Sequence, residues 1–132
     1  MNKRPLLIGS VLCLLTVIIG AFGAHGLATL LEENGRTATF QTAVEYQTLH
    51  AIAILIIGML SNKYPDGYWN MAVNSMLIGV VIFSGSLYFL SITNLTWIAR
   101  ITPVGGLAFI VGWIFVILAI KRYKNPENGI HD

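Results

Sequence analysis

In a chain otherwise almost bare of charge, a short series of residues has the chemistry to bind a ligand or move a proton: His25, Glu45, Tyr46, Gln47, His50, Ser84, Ser86, Tyr88 and Arg100. Imidazole and carboxylate are common acids and bases, the hydroxyls and the amide supply donors and acceptors, and a guanidinium can neutralise a carboxylate. Spacing adds to this. Tyr46 and His50, four apart, share a helix face, and Gln47 and His50, three apart, nearly do. Three chemistries are open. The first is a hydrogen-bonded set that stitches helix ends together, with Arg100 neutralising Glu45 and with His25 and Gly26 ending the first helix. The second is a proton-accepting or ligand-binding pocket open to the outside. The third is a transition-metal site made from two histidines and one carboxylate. Buried polar side chains are mostly just satisfied partners, which favours the first. The third lacks any recognised ligand spacing, so no metal is expected. Neither a nucleophile elbow, a P-loop, a HExxH helix nor a CxxCH haem attachment occurs. No catalytic residue and no cofactor is therefore assigned.

The elements that must hold these residues are membrane spans. Of 132 residues, 55% are hydrophobic and 11% charged, too few charges to cover a soluble globule of this size. Apolar runs lie at about 6–25, 46–61, 69–90 and 101–120, each long enough, or nearly so, to cross a hydrocarbon core at ~1.5 Å per residue. The fold class that follows is all-α: an integral membrane four-helix bundle, a single domain over 1–132 with a polar tail at 121–132. Residues 37–47 read as a short outer helical segment leading straight into the second span. Asn62 to Gly67 composes a tight turn around Pro65, and Pro103 suits the first turn of the fourth span. Lys3 and Arg4 before an apolar run would also suit a signal peptide, with Ala21-Phe22-Gly23 as a weak cleavage site. The run is longer than the usual h-region and three spans follow, so it reads as a retained span.

The net charge of +2 is small and scattered, which leaves no nucleic-acid surface. The single cysteine, Cys13, excludes an intrachain disulfide and a cysteine-based zinc site. Lys3, Arg4, Lys63, Lys121, Arg122 and Lys124 fall on one side of a four-span bundle, and Arg36 and Arg100 on the other. Positive residues mark the cytoplasmic side, so both termini are expected inside. On that topology the polar series gathers in the outer half, and the inner halves hold almost nothing polar. Gly9, Cys13, Thr16, Gly20 and Gly23 form a small-residue stripe in the first span; so do Ala72, Ser75, Gly79 and Ser86 in the third and Gly105, Ala108, Gly112 and Ala119 in the fourth. These are the ordinary means of bringing membrane helices together. Trp69, Trp97, Tyr64, Tyr68 and Tyr123 sit near span ends as an aromatic belt would, whereas Trp113 lies inside the fourth span and is expected against a seam.

Four ordered segments are distributed along the chain: Gly20-Ala21-Phe22-Gly23-Ala24-His25-Gly26-Leu27; Phe40-Gln41-Thr42-Ala43-Val44-Glu45-Tyr46-Gln47 leading to His50-Ala51; Phe83-Ser84-Gly85-Ser86-Leu87-Tyr88; and Thr102-Pro103-Val104-Gly105-Gly106 with Gly112-Trp113. The series resembles the YgdD/YwdK-like family of small bacterial inner-membrane proteins, a domain of unknown function with small eukaryotic transmembrane relatives. The resemblance implies a four-span protein of the bacterial inner membrane and brings no activity, substrate or cofactor with it.

Few charges, minimal loops and the lack of a soluble region for a catalytic pocket point to a non-catalytic accessory, assembly or lipid-associated membrane component. Its partners would be membrane lipids, with other membrane proteins or copies of itself. The alternative is a small-ligand or ion binding or transport unit using the outer polar cluster, working as an oligomer because four short helices enclose little volume. A transporter wants polar groups along the whole path, and bare inner halves do not supply them. An enzyme using His25, His50 and Glu45 is the weakest of the three.

Overall fold

A computed structural model describes residues 1–123; of the expected polar tail, 124–132 lie outside the described residues. Within them the chain is helical, without a strand. Helix α1 (Arg4–Ala24) opens with Pro5 in its first turn, where a missing N–H costs nothing. A short surface helix, α2 (Ala28–Glu33), follows, and Gly35 at φ 65° makes the left-handed step into α3 (Thr37–Lys63). Helix α3 is unbroken over 27 residues. At ~1.5 Å per residue it is some 40 Å long and overshoots a ~30 Å hydrocarbon layer. The outer segment expected at 37–47 is thus the first part of this helix.

Asp66 caps the next helix, its carboxylate accepting from the Tyr68 backbone N–H at 2.8 Å. The third span is composite: α4 (Gly67–Gly79), a π-helical turn (Val80–Ser84) and α5 (Gly85–Thr93). Asn94, in the left-handed region at φ 57°, closes it. A 3-10 turn (Thr96–Arg100) leads to α6 (Thr102–Arg122), with Pro103 in its first turn as expected. Four helical stretches are long and apolar enough to cross a membrane, giving the four-span bundle read from the sequence.

Consecutive spans pair. The main partner of α1 is α3; that of α6 is α4 with its π turn; α3 joins the halves by packing on the third span. The glycine seams explain how closely they approach. A Cβ on Gly9 would lie 2.7 Å from Leu55 Cγ, and one on Gly58 2.8 Å from Leu6 Cδ2, so α1 and α3 interlock reciprocally. Between α4 and α6, a Cβ on Gly112 would lie 2.8 Å from Met76 Cγ, and one on Gly79 would run into the Phe109 ring. Gly105 is the tightest in kind, since the obstacle there is the backbone of Phe83. Gly20 is the loose member of its stripe, with Val44 Cγ1 3.8 Å away. Ile54, Val73, Met76 and Phe109 make the core where α3, α4 and α6 meet. Trp69, expected as a belt anchor, is buried in that core, with its indole N–H donated to Tyr64 O at 2.8 Å.

Candidate functional site

Gln47 and His50 sit one turn apart on the buried face of α3, and each ties α3 to a different neighbour. Gln47, 3% exposed, donates from Nε2 to Leu12 O of α1 at 3.2 Å and accepts the Tyr88 hydroxyl of α5 on Oε1 at 2.7 Å. One amide therefore bridges three helices, which is what a side chain with both donor and acceptor can do. One turn earlier on α3, Ala43 O accepts from the Ser84 hydroxyl of the π turn at 2.8 Å. Ser86 donates to Phe83 O at 2.9 Å, so its remaining role toward Thr102 Oγ1, 2.7 Å away, is acceptor, and this joins α5 to α6. The π turn matters because it inserts an extra residue into the third span. That shift lets α4 present small residues to α6 while Ser84 and Tyr88 are aimed at α3.

His50, 2% exposed, has both ring nitrogens occupied. Nε2 faces the indole N–H of Trp113 at 3.1 Å and Nδ1 faces Tyr46 O at 2.7 Å. Indole only donates and a carbonyl only accepts, so the pair of bonds selects the neutral ring with its proton on Nδ1. Phe109 stacks on the imidazole at 3.6 Å between centroids and 10° between planes. The ring is thus held as a packed cross-link between α3 and α6, with no lone pair left for a metal. Tyr46 is half-exposed, its ring against Phe83 at 4.5 Å.

The remaining expected members lie apart. His25, Glu45 and Arg100 are exposed, and among the described residues none of their side chains makes a hydrogen bond or ion pair. The expected neutralisation of Glu45 by Arg100 is therefore corrected, as is a single set containing His25. The reason is position: all three lie at or beside the ends of the apolar runs and are exposed, so no buried partner is required. Glu45 is also turned away from Gln47, since two residues of α-helix rotate ~200°. It lines a groove of about 280 Å³ with Gly20, Gly23, Thr37, Phe40 and Gln41, between the ends of α1 and α3. The polar series thus divides into a buried stitch of Gln47, His50, Ser84, Ser86 and Tyr88 and a separate rim.

Some participants escape the sequence. Trp113 completes the stitch, and Asn34 Nδ2 pins the link between α2 and α3 to the end of α5 by donating to Ser91 O at 3.0 Å and Ile92 O at 3.1 Å. At the end carrying the N-terminus, Asn2 and Asn62 bond reciprocally, at 2.6 and 3.2 Å, and Arg4 bonds Asn74. A tryptophan in the middle of a span was the available signal, since a buried indole N–H needs an acceptor. Among the described residues, every buried side-chain nitrogen or oxygen has a hydrogen-bond partner.

Comparison with known proteins agrees with this architecture. The family described as "Protein of unknown function (DUF423)" matches residues 19–106, which contain every expected site residue. The UPF0382 membrane protein YwdK of Bacillus subtilis (strain 168) is 38% identical over 122 residues, covering 92% of this chain and 98% of that protein. A UPF0382 membrane protein of Haemophilus influenzae is 40% identical, covering 84% of this chain and 86% of its own length. The UPF0382 inner membrane protein YgdD of Escherichia coli (strain K12) is 35% identical over 82% of both. No solved structure matches the chain.

Proposed function

The chain belongs to the DUF423 family of UPF0382 multi-pass membrane proteins, and from that premise we propose that it is a non-catalytic accessory, assembly or lipid-associated component of the bacterial inner membrane, both termini inside. One observation carries this reading. The buried polar groups that chemistry would need are already spent on each other and on the backbone: Gln47 between Leu12 and Tyr88, His50 between Tyr46 and Trp113, Ser84 on Ala43. A polar cluster that is complete without a ligand acts as glue between helices. What remains for interaction is the broad apolar surface, such as Leu7, Val11, Leu14 and Val17 on α1, which faces lipid and membrane neighbours. The inner-membrane placement draws support from the positive residues around both termini and from the printed name of the Escherichia coli relative.

The test is a double-mutant cycle on Gln47→Leu and Tyr88→Phe, read as unfolding free energy in detergent. Coupling of about 0.5–2 kcal/mol without any ligand supports the glue reading. Unchanged stability, with loss of a bound small molecule in either variant, overturns it. A second reading, binding of a small cation or amine at the outer rim, has the Glu45 groove in its favour; its test is saturable cation binding that Glu45→Gln abolishes.

A further inference from the structure

A second cavity is remote from the stitch. It holds about 660 Å³ at the end of the bundle that carries the α3–α4 turn and the close of α6. Its lining is part apolar, with Leu60, Trp69, Ala119 and Ile120, and part cationic and phenolic, with Lys63, Arg122, Tyr64 and Tyr123. We propose that this cavity seats an anionic phospholipid of the leaflet facing the termini, the lipid phosphate at Lys63 and Arg122 and an acyl chain along Leu60 and Ile120. This goes beyond the accessory role above, which requires no lipid preference.

Three observations carry it. The first is level. Tyr64 and Tyr123 meet edge to face at 4.6 Å, and tyrosines at span ends lie at the headgroup layer. The second is charge. Asp66 also lines the cavity, but its carboxylate already caps α4 and lies 3.8 Å from Arg122 Nε. That contact uses one edge of the guanidinium. The side chain is 63% exposed and its Nη groups make no hydrogen bond among the described residues, so the fork that recognises phosphate in bidentate fashion points outward. The ammonium of Lys63 is steadied 5.2 Å over the Tyr64 ring, and Arg122 lies 5.1 Å over that of Tyr68. The third is amphipathy. A free anion gains nothing from an apolar floor, and a neutral lipid gains nothing from two cations; a phospholipid of net negative charge uses both.

The experiment is native mass spectrometry of the full-length protein in detergent, offered phosphatidylglycerol and phosphatidylcholine of identical chains. The wild type should retain phosphatidylglycerol preferentially. Lys63→Gln should cut that preference by about five-fold, the weight of one cation near an anionic surface, and adding Arg122→Gln should abolish it. Arg36→Gln, the same charge change at the opposite end, should leave it intact. Arg122→Gln also removes the Asp66 contact, so Lys63→Gln, exposed and outside the packing, decides alone if the double variant misfolds. Equal retention of the two lipids by the wild type overturns the proposal, as does a Lys63→Gln effect no larger than that of Arg36→Gln. Displacement of the lipid by millimolar inorganic phosphate would identify a free-anion site instead and overturn it too.

Discussion

Substituting Gly105 by alanine adds one methyl group at the point where α6 crosses the π turn. A Cβ there would lie 2.7 Å from Phe83 Cβ and 2.8 Å from Phe83 Cα, with the Phe83 backbone nitrogen closer still. Ordinary contact begins near 3.4 Å, so even the Cα falls short by about 0.6 Å. A flexible side chain could swing aside, but a helix backbone cannot. The two spans must therefore part at this level. Parting them strains the Ser86–Thr102 hydrogen bond, now 2.7 Å, and loosens Phe109 from the groove over Gly79. Overpacking of this kind typically costs ~1–3 kcal/mol, and the backbone obstacle puts Gly105→Ala in the upper part of that range.

Gly20→Ala is the matched control, since its Cβ meets nothing nearer than Val44 Cγ1 at 3.8 Å. Equilibrium unfolding in mixed detergent micelles, followed by helical circular dichroism, measures both. Gly105→Ala should lower the unfolding free energy by about 2–3 kcal/mol and Gly20→Ala by less than about 0.5 kcal/mol, as for changes away from such features. If Gly105→Ala matched the wild type, or if the two alanines were equally damaging, the reasoning from closest approach would be refuted.

Nitrogen-15 NMR of labelled histidine should find the His50 proton on Nδ1, with Trp113→Phe disturbing that ring's signals; a proton on Nε2 would contradict the bonding scheme. Glu45→Gln and Arg100→Gln should act additively on stability, within about 0.5 kcal/mol, because the two side chains do not meet; a larger coupling in the double variant would restore the ion pair. A reporter inserted near Glu33 should read external and one fused after Asp132 internal, and the reverse pattern would refute the orientation taken from the positive residues.

The spans and their seams were legible because length, hydropathy and small-residue spacing act directly on a helix in a bilayer. Gly9 and Gly112 lie in close helix contacts, as their stripes implied, whereas Gly20 shares the stripe but not the proximity. Gln47, His50, Ser84, Ser86 and Tyr88, grouped in the sequence as polar residues of the spans, are turned into the bundle and bonded there. The pairing of Glu45 with Arg100 rested on opposite charge alone, and helix rotation already argued against placing Glu45 beside Gln47. The π turn left no local signature: Val80 to Ser84 would suit an ordinary apolar helix equally well. Only contacts far along the chain, such as Phe83 on Gly105 and Ser84 on Ala43, reveal why the extra residue is there. The bond from Trp113 to His50 spans 63 positions, and spacing rules reach only a turn or two.

Neighbour-to-neighbour pairing of spans, α1 on α3 and the third span on α6, bears on how the molecule is made. A chain released into the bilayer in order delivers each helix beside the one that receives it, and the first hairpin can close before the second has left the ribosome. The inward face of α3 must wait for later arrivals: Ala43 O and Gln47 Oε1 for the Ser84 and Tyr88 hydroxyls of the third span, and His50 for Trp113 of α6. Assembly is thereby reduced to two local closures and one docking step. In that order of events the stitch is the latch between halves, and a lesion in Gln47 would leave both hairpins formed but poorly joined.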